Sequence, residues 1–329
     1  MDVSPPFPVV GVDVSKATLA VCYLRDQQVQ HLDVGNTPAG FQQLVKARGP
    51  RRRLVMEATG TYYLALAYHL HEQGMQVSVL NPLVIKRFIQ MHLSKGKSDR
   101  KDAQWLLRYG QQQAVKAWQS DETVLVECRQ LEQVTEQLVK QKMMVCNSLE
   151  ALTRQPVVSP VARQRLGQTK RLLDEQLQAV EAGFLALLNQ RFTLGIVLLC
   201  SIPGIGRKTA GLLLLFAGGF ARLDNHRQLI AKAGLFPREH TTGSSIRGKV
   251  RITQMGSGFI RGKLFMFSFS AKKSSAARKV LYDRLVAKGK NGKVALITVC
   301  NKRLKHAFAI IKLCAPYQAI FCSALALSL

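Results

Sequence analysis

The first 120 residues alternate segments that have the apolar pattern of strands with segments that have the pattern of helices. Four segments are rich in β-branched and apolar residues and predict strands: residues 7–14, 19–24, 51–57 and 77–82. Three segments have apolar residues at helical spacing: residues 62–73, 83–91 and 99–110. Strands that alternate with helices predict an α/β layer fold for this part of the chain.

A helical hairpin is predicted in the middle of the chain. Residues 122–154 contain no Gly or Pro, and apolar residues such as Leu131 and Leu138 recur at helical spacing. Pro156 ends this run, and a second helical run covers residues 162–190. We predict that the two runs form an antiparallel pair of helices. Dimerisation, a grip on nucleic acid and a purely structural spacer are all compatible with this pattern.

The remaining residues predict a mostly helical region with Gly-rich basic loops. We therefore expect an α/β domain at residues 1–120, a helical connector at 121–192 and a C-terminal domain at 193–329. A chain of 329 residues is long enough for two or three such domains.

The chain carries a formal net charge of +27, from 47 Lys and Arg against 20 Asp and Glu. Since 47% of its residues are hydrophobic, we expect a folded protein with a positive surface rather than a disordered basic tail. Residues 231–329 hold nineteen Lys and Arg and only two acids, whereas residues 1–120 hold fifteen and eight. This charge favours a polyphosphate partner, and an acidic membrane surface is the alternative.

The seven cysteines form no CxxC pair, and the first residues lack the basic and apolar pattern of a secretory signal. We therefore expect reduced thiols in a cytoplasmic protein. Two apolar runs, residues 212–221 and 319–329, are shorter than the roughly 18 residues that a membrane span needs. No membrane partner is expected.

Four acidic residues have the pattern of a metal site. Asp13 lies within or at the end of the first predicted strand, and Glu57 ends the third. A carboxylate in an apolar strand is costly unless a cation or hydrogen-bond donors satisfy it. Asp99 and Asp102 are three residues apart at the start of a predicted helix, so they share one face. We predict that these acids hold two Mg²⁺ ions for phosphoryl transfer.

Each of these acids also has an ordinary structural interpretation. Asp99 suits a helix cap or a partner of the helix dipole. Asp13 suits an ion-paired core residue. The joint occurrence of acids at two strand ends and on one helix face favours the metal site.

Two further segments predict contacts with phosphate. Residues 203–206 read Pro-Gly-Ile-Gly before a helix, as in a helix–hairpin–helix turn whose backbone N–H groups bind a phosphate; a simple interhelical turn is the alternative. Residues 240–251 contain four hydroxyls followed by three cations. A hydroxyl there can attack a phosphodiester, but physics alone favours a phosphate-contacting loop without chemistry. The side chains predicted to bind nucleic acid are Lys95, Lys97, Arg207, Lys208, Arg247, Lys249 and Arg251.

Seven motifs in register point to a family. They are GVDVS with Asp13, MEATGTY with Glu57, VSVLNP, KSDRKDA with Asp99 and Asp102, SIPGIG, AGLFPRE and TGSSIRGKVRIT. In order and spacing they resemble the insertion-sequence 110 family, the DEDD transposases related to the Piv site-specific DNA invertase.

The resemblance implies a RuvC-like, RNase H-type N-terminal domain, a coiled-coil connector and a C-terminal transposase domain. It implies that Asp13, Glu57, Asp99 and Asp102 bind two Mg²⁺ ions. The implied chemistry is a covalent hydroxyl–DNA linkage followed by strand exchange. The implied partners are donor and target DNA, a structured guide RNA of the bridge type, and further copies of the chain in a dimer or tetramer. The implied location is the nucleoid of the bacterial cytoplasm.

The sequence departs from the family pattern at the nucleophile. The family has a serine in a Ser-Gly-x-Ser pattern, and Thr242 stands at that position, followed by Gly243, Ser244 and Ser245. Threonine is a more hindered nucleophile than serine. Thr242 is favoured by position, and Ser244 comes next. Replacement by Ser245 and an impaired copy also stay open. Gly256-Ser257 likewise departs from the Gly-Asn that the family leads us to expect.

The sequence therefore predicts a magnesium-dependent, RNA-guided DNA transposase or recombinase. Two rival functions remain. A RuvC-like Holliday-junction resolvase, acting by metal-dependent hydrolysis, needs the four acids but no hydroxyl loop. A catalytically silent nucleic-acid-binding protein uses the fold only as a basic platform.

Overall fold

The computed structural model describes residues 8–49, 51–94, 96, 98–238, 241–242, 246–247, 251–253, 255–256 and 258–318. The chain divides into two compact units, Met1–Asp121 and Glu122–Leu329. The division into three domains remains a prediction.

The first unit is built on a five-stranded sheet. Its strands are β1 (Val9–Val14), β2 (Thr18–Arg25), β3 (Gln28–Gly35), β4 (Arg53–Glu57) and β5 (Gln76–Leu80). Their spatial order is β3-β2-β1-β4-β5. The first three strands form an antiparallel meander, and β4 and β5 run parallel to β1. β1 is therefore the central strand and touches both halves of the sheet.

Helices cover both faces of this sheet. They are α1 (Pro38–Arg48), α2 (Tyr63–Glu72), α3 (Pro82–Met91) and α4 (Asp99–Gln112). One face packs on α1 and α2, for example through Val12 against Leu44 and Leu66 in one buried cluster. The other face packs on α3 and α4, with Val55 and Leu107 in a second cluster. The α/β class predicted for this part of the chain is confirmed.

Two glycines bring α4 unusually close to the sheet. A Cβ added at Gly11 in β1 would overlap the backbone of Ala103 and Leu107 in α4. A Cβ added at Gly110, nearer the end of α4, would lie 2.7 Å from side-chain atoms of Val9 and Val55. The helix therefore runs antiparallel to β1, and its N-terminus lies at the carboxyl end of β1 and β4.

Two elements of the first unit were not predicted. β3 is an edge strand in which only Val34 is buried, so its apolar signal is weak. α1 contains Pro38 and Gly40 in its first turn, which obscure the helical pattern. Thr37 caps the N-terminus of α1, because its side chain accepts a hydrogen bond from the backbone N–H of Gly40.

The second unit is mostly helical, as predicted. Its helices are α5 (Thr123–Thr153), α6 (Pro160–Cys200), α7 (Arg207–Ala217), α8 (His226–Lys232), α9 (Gly258–Ser274), α10 (Ala276–Ala287) and α11 (Gly292–Leu313). The residues described between α8 and α9 include four short strands: β6 (Pro237–Arg238), β7 (Thr241–Thr242), β8 (Ile246–Arg247) and β9 (Arg251–Ile252). β6 pairs with β9, and β7 pairs with β8, which lie between β6 and β9 in the sequence.

The predicted helical hairpin is present as α5 and α6. Glu122 at the start of α5 forms an ion pair with Arg191 in the last part of α6, and Lys142 forms one with Asp174. The two helices therefore run antiparallel. The backbone of α6 leaves helical geometry at Phe192 (φ −125°, ψ 32°), close to the predicted end of the second run. Coiled-coil packing within the pair remains a prediction.

One window of 18 residues in α6 is apolar enough to cross a membrane by length and composition. A search for continuous apolar runs does not find this window, because polar residues interrupt it. Phe184, Leu188 and Ile196 of this helix belong to the buried core of the second unit, and 28% of the window is buried in all. A core helix passes the same test, so one such helix is weak evidence for a membrane span.

Replacement of Gly11 by alanine is expected to destabilise the first unit. The new methyl group would meet the α4 backbone, which cannot move aside as a flexible side chain can. We expect a loss of about 1–3 kcal/mol in the free energy of unfolding, measured by urea denaturation. Gly167→Ala in α6 is the control, because nothing lies within 4 Å of an added Cβ there. Equal stability of the two variants would contradict the close approach.

Candidate active site

Asp13 and Glu57 lie side by side at one edge of the sheet. β1 and β4 are parallel neighbours, and their register pairs Val12 with Met56, one residue before each acid. Side chains alternate along a strand, so Asp13 shares the face of Gly11 and Glu57 shares the face of Val55. Because Gly11 and Val55 both contact α4, the two half-buried carboxylates lie on the α4 side of the sheet.

The first turn of α4 brings the other two acids to this edge. Asp102 directly precedes Ala103, whose backbone lies against Gly11 in β1. Asp102 is half-buried, and Asp99, one turn earlier, is exposed. The side chain of Ser98 accepts a hydrogen bond from the backbone N–H of Lys101 and caps the helix, so Asp99 is not the cap. The two acids remain in position to interact with the helix dipole or with a cation.

Two neighbouring contacts hold this edge in place. The hydroxyl of Thr59 donates a hydrogen bond of 2.8 Å to Oε1 of Glu57. Arg100, between the two acids of α4, binds Asp33 of β3 with an Nη2–Oδ2 distance of 2.6 Å. This hydrogen bond raises the pKa of Arg100. Lys95 and Lys97, which the sequence places before α4, lie outside the described residues.

The donor chemistry of the four acids suits a hard divalent cation, because every ligand would be a carboxylate oxygen. Their supporting elements meet at one edge. Among the residues that the structure describes, however, no three His, Cys, Asp or Glu side chains form a group that could hold a metal ion as they stand. The backbone thus gathers the acids, whereas their side chains do not surround a single point.

The predicted nucleophile lies in the second unit, on a segment that we call the hydroxyl ribbon (residues 237–252). Thr242 pairs with Ile246 in the inner ladder, and Thr241 pairs with Arg247. Thr242 is therefore the last strand residue before residues 243–245. Ser244, Ser245 and Lys249 lie outside the described residues. In the outer ladder the exposed Arg251 pairs with Arg238.

A close backbone contact follows the hydroxyl ribbon. Gly256 has φ +134°, and a Cβ there would overlap the carbonyl oxygen of Lys232 at the end of α8. Arg261 donates a hydrogen bond of 3.0 Å to the carbonyl of Gly256. These contacts explain why glycine stands at position 256. The departure from the family pattern at Ser257 lies outside the described residues.

The segment at residues 203–206 forms a turn before α7. Gly204 has φ +78°, a conformation that favours glycine. Arg207 in the first turn of α7 is exposed. The Nζ of Lys208 lies 2.7 Å from Oε2 of Glu181 on α6, so this predicted phosphate contact already has a carboxylate partner.

Comparison with known proteins decides the family. A DEDD transposase model of IS110, described as "Transposase", matches residues 10–155, which include all four acids. A model described as "Transposase IS116/IS110/IS902 family" matches residues 197–283, which include the turn and the hydroxyl ribbon. The chain belongs to the IS110 family of DEDD transposases.

Relatives of the transposase extend over almost its whole length. The pilin gene-inverting protein of Moraxella bovis is 29% identical over 323 residues, which cover 94% of this chain and 97% of that protein. The transposase for insertion sequence element IS1111A of Coxiella burnetii is 21% identical and covers 92% of this chain and 89% of its own. The chain is accordingly an enzyme of the DNA transposase and recombinase class.

A structure of T. thermophilus RuvC in complex with a Holliday junction substrate is also similar, at 13% sequence identity. The match covers 34% of this chain and 99% of the RuvC chain, with a TM-score of 0.27. A score of that size supports no structural inference.

The transposase also contains a buried basic cluster that the sequence did not reveal: Arg278 in α10 with Arg303 and His306 in α11. Arg303 is 1% exposed and donates a hydrogen bond of 2.8 Å to the carbonyl of Pro203. Its guanidinium lies 3.7 Å from the ring centroid of Phe267 in α9. Arg303 thereby joins the turn before α7 to two other helices.

Burial lowers the pKa values of Arg303 and His306 in the basic cluster. The pKa of Arg303 falls to about 9, first because of burial and then because of the charge of Arg278. The pKa of His306 falls to about 3 for the same two reasons in the same order. The Nη2 of Arg278 lies 2.9 Å from Nδ1 of His306, so this ring nitrogen accepts a hydrogen bond and the imidazole is neutral.

The neutral state of His306 predicts a pH-dependent stability. The unfolded chain binds a proton near the ordinary pKa of 6.5, whereas the folded chain binds it only near 3. This contribution is therefore fully present above pH 6.5 and is lost as the pH falls. We therefore expect the free energy of unfolding, measured by urea denaturation, to fall by about 2 kcal/mol between pH 6.5 and pH 5.

The matched variant for this measurement is His306→Gln, whose side-chain oxygen can still accept from Arg278. It should be less stable at pH 7 but should lose less stability on acidification. An equal loss in both proteins would show that His306 does not set the pH dependence.

Proposed function

We propose that this transposase cuts and exchanges DNA strands of an insertion sequence through a divalent-metal site and a hydroxyl nucleophile. The observation that carries the proposal is the placement of Asp13 and Glu57 on neighbouring strand ends beside the first turn of α4. A rigid central strand and a helix packed against its backbone are suitable supports for ligands that must keep their positions during the reaction.

Asp13, Glu57, Asp99 and Asp102 would hold the metal, proposed to be two Mg²⁺ ions. When bound, such ions stabilise the charge that develops on a phosphate during displacement. The chain itself supplies the positions of the carboxylates. Half-burial restrains Asp13, Glu57 and Asp102, and the hydrogen bond from Thr59 orients the carboxylate of Glu57.

The hydroxyl ribbon would supply the nucleophile, from Thr242 or from Ser244 or Ser245. The hydroxyl oxygen forms a bond to phosphorus while the bond from phosphorus to a deoxyribose oxygen breaks. The attacking hydroxyl gives up its proton in this step, and the departing deoxyribose oxygen takes one up. The reverse reaction with the hydroxyl of another strand then completes the exchange. The cations Arg247, Lys249 and Arg251 would offset the negative charge of the phosphate.

Donor and target DNA are the proposed substrates, with a structured guide RNA as a further partner. The support is the excess of positive charge, nineteen Lys and Arg against two acids in residues 231–329. A dimer or tetramer is proposed from the family resemblance.

Replacement of a site acid should abolish strand exchange. We expect Asp13→Asn and Asp102→Asn to lower the rate at least about 100-fold, because each removes the charge of a metal ligand. The same variants should bind Mg²⁺ more weakly by isothermal titration calorimetry. The control is Asp26→Asn, since Asp26 lies in the β2–β3 turn with its side chain 93% exposed. Normal exchange by the Asp102 variant would exclude the metal assignment.

The nucleophile is identified by trapping the covalent protein–DNA adduct on a nicked substrate and mapping it by mass spectrometry. We expect Thr242→Ala to lose the adduct, because no oxygen remains at that position to bond to phosphorus. Thr241→Ala is the control, because it removes the neighbouring hydroxyl and leaves that of Thr242 in place.

Two other outcomes have definite meanings. An adduct that persists in Thr242→Ala and maps to Ser244 or Ser245 assigns the chemistry to that serine. Cleavage by the wild-type protein without any adduct contradicts the covalent mechanism and favours a hydrolytic junction resolvase.

A further inference from the structure

A pocket of about 220 Å³ lies between α7 and α9 in the second unit. We call it the α7–α9 pocket. Its interior is apolar, with Leu212, Phe216, Ile260 and Phe267 among the lining residues. The volume is below the roughly 300–1,000 Å³ of most small-molecule sites. The pocket therefore has room for one ring-sized group and not for a whole dinucleotide or a helix.

Polar groups also line the α7–α9 pocket. They are Lys208 and Thr209 from the first turn of α7 and Lys263 and Ser270 from α9. The exposed lining residues Gly204, Met266 and Ser270 mark its open side, which we call the rim. The lining thus combines apolar side chains with cations and hydroxyls, as a ligand with a flat apolar part and a charged part requires.

The N-terminus of α7 strengthens the preference for an anion at the rim. The helix starts after its N-cap residue Gly206, which has no side chain with which to cap the backbone N–H groups of the first turn. N–H groups in the first turn of a helix lack intrahelical partners and bind phosphate readily. Since Lys208 and Thr209 belong to both this turn and the pocket lining, an anion bound here would lie next to the apolar interior.

Two carboxyl groups offset part of the positive charge. Glu181 forms the ion pair with Lys208, and Glu132 on α5 interacts electrostatically with Lys208 and Lys263. Glu132 is only 9% exposed, and burial raises its pKa. Its negative charge is therefore disfavoured, and it offsets the two lysines less than an exposed acid would.

We propose that the α7–α9 pocket takes up one unstacked base of the bound nucleic acid and that the phosphate of the same nucleotide lies at the first turn of α7. The base would pack on the rings of Phe216 and Phe267, since every base has a flat aromatic face. The guanidinium of Arg303 lies 3.7 Å from the ring centroid of Phe267 and so supports that wall of the pocket. The inference depends on the proposed function only in that DNA or RNA is the ligand.

The proposal predicts that the full-length transposase prefers an unpaired base. The probes are hairpin oligonucleotides with one bulged nucleotide and otherwise identical, fully paired hairpins, each made as DNA and as RNA. We expect the bulged form to bind at least about fivefold more tightly, because stacking of one base on an aromatic side chain stabilises a complex by about that factor or more. Fluorescence anisotropy measures the two affinities. A preference for only the DNA or only the RNA form identifies the source of the base.

Filling the pocket should remove this preference. Ser270 is an exposed residue of the rim, and Ser270→Trp places a large ring in the entrance without removing a core contact. Met266→Trp, at a rim residue that is 60% exposed, is a second variant of the same kind. Thr298→Trp is the control, because Thr298 is exposed on α11 and does not line the pocket. We expect both rim variants to bind the two probes equally and the control to behave as wild type.

Two results would overturn the inference. One is a wild-type protein that binds paired and bulged probes with equal affinity. The other is a preference that survives in both rim variants while thermal unfolding shows them to be folded. The test is independent of catalysis, because Asp102→Asn should keep the preference for the bulge. A wild-type protein without strand-exchange activity would therefore contradict the proposed function. A wild-type protein without the bulge preference would contradict the inference about the pocket.

Discussion

The first unit depends on the direct contact between the backbone of α4 and the central strand β1. Gly11 and Gly110 allow this contact, since a Cβ at either position would collide with the opposing element. A helix held so close to a strand cannot slide or rotate without breaking the packing of Val55 and Leu107. The contact consequently fixes the first turn of α4, with its two acids, beside the ends of β1 and β4. The candidate metal site exists because of a constraint on backbone distance, and the acids alone would not create it.

The second unit faces a different physical problem, because it must fold with a large excess of positive charge. Arg303 and Arg278 are buried, yet neither is paired with a carboxylate among the described ion pairs. Carbonyl oxygens, the ring of Phe267 and a neutral His306 compensate them instead. This arrangement ties the turn before α7 to α9 and α11, which also form or support the walls of the α7–α9 pocket. The turn and the pocket proposed to bind nucleic acid are thus held by Arg303, which belongs to the same buried cluster as His306, the residue that makes the unit sensitive to acid.

The proposed chemistry divides between the two units. Carboxylates for a metal belong to the first unit, and the hydroxyl nucleophile and most of the positive charge belong to the second. Such a division is consistent with an enzyme that must bind phosphate strongly without neutralising its own metal ligands. The net charge follows the same division: it is +7 for residues 1–120 and +17 for residues 231–329.

The strands that carry Asp13 and Glu57, the helical hairpin and the family were predictable from the residues alone, because they depend on local periodicity and on motifs whose order survives at low identity. The remaining features required the folded chain. β3 was missed since an edge strand buries little, and Ser98 rather than Asp99 proved to be the cap of α4. The burial of Arg303 and His306 depends on partners far away in the chain, such as Pro203, and composition predicts such residues to be exposed. Whether a charged residue faces water or a carbonyl oxygen is set by long-range packing, and no local pattern encodes it.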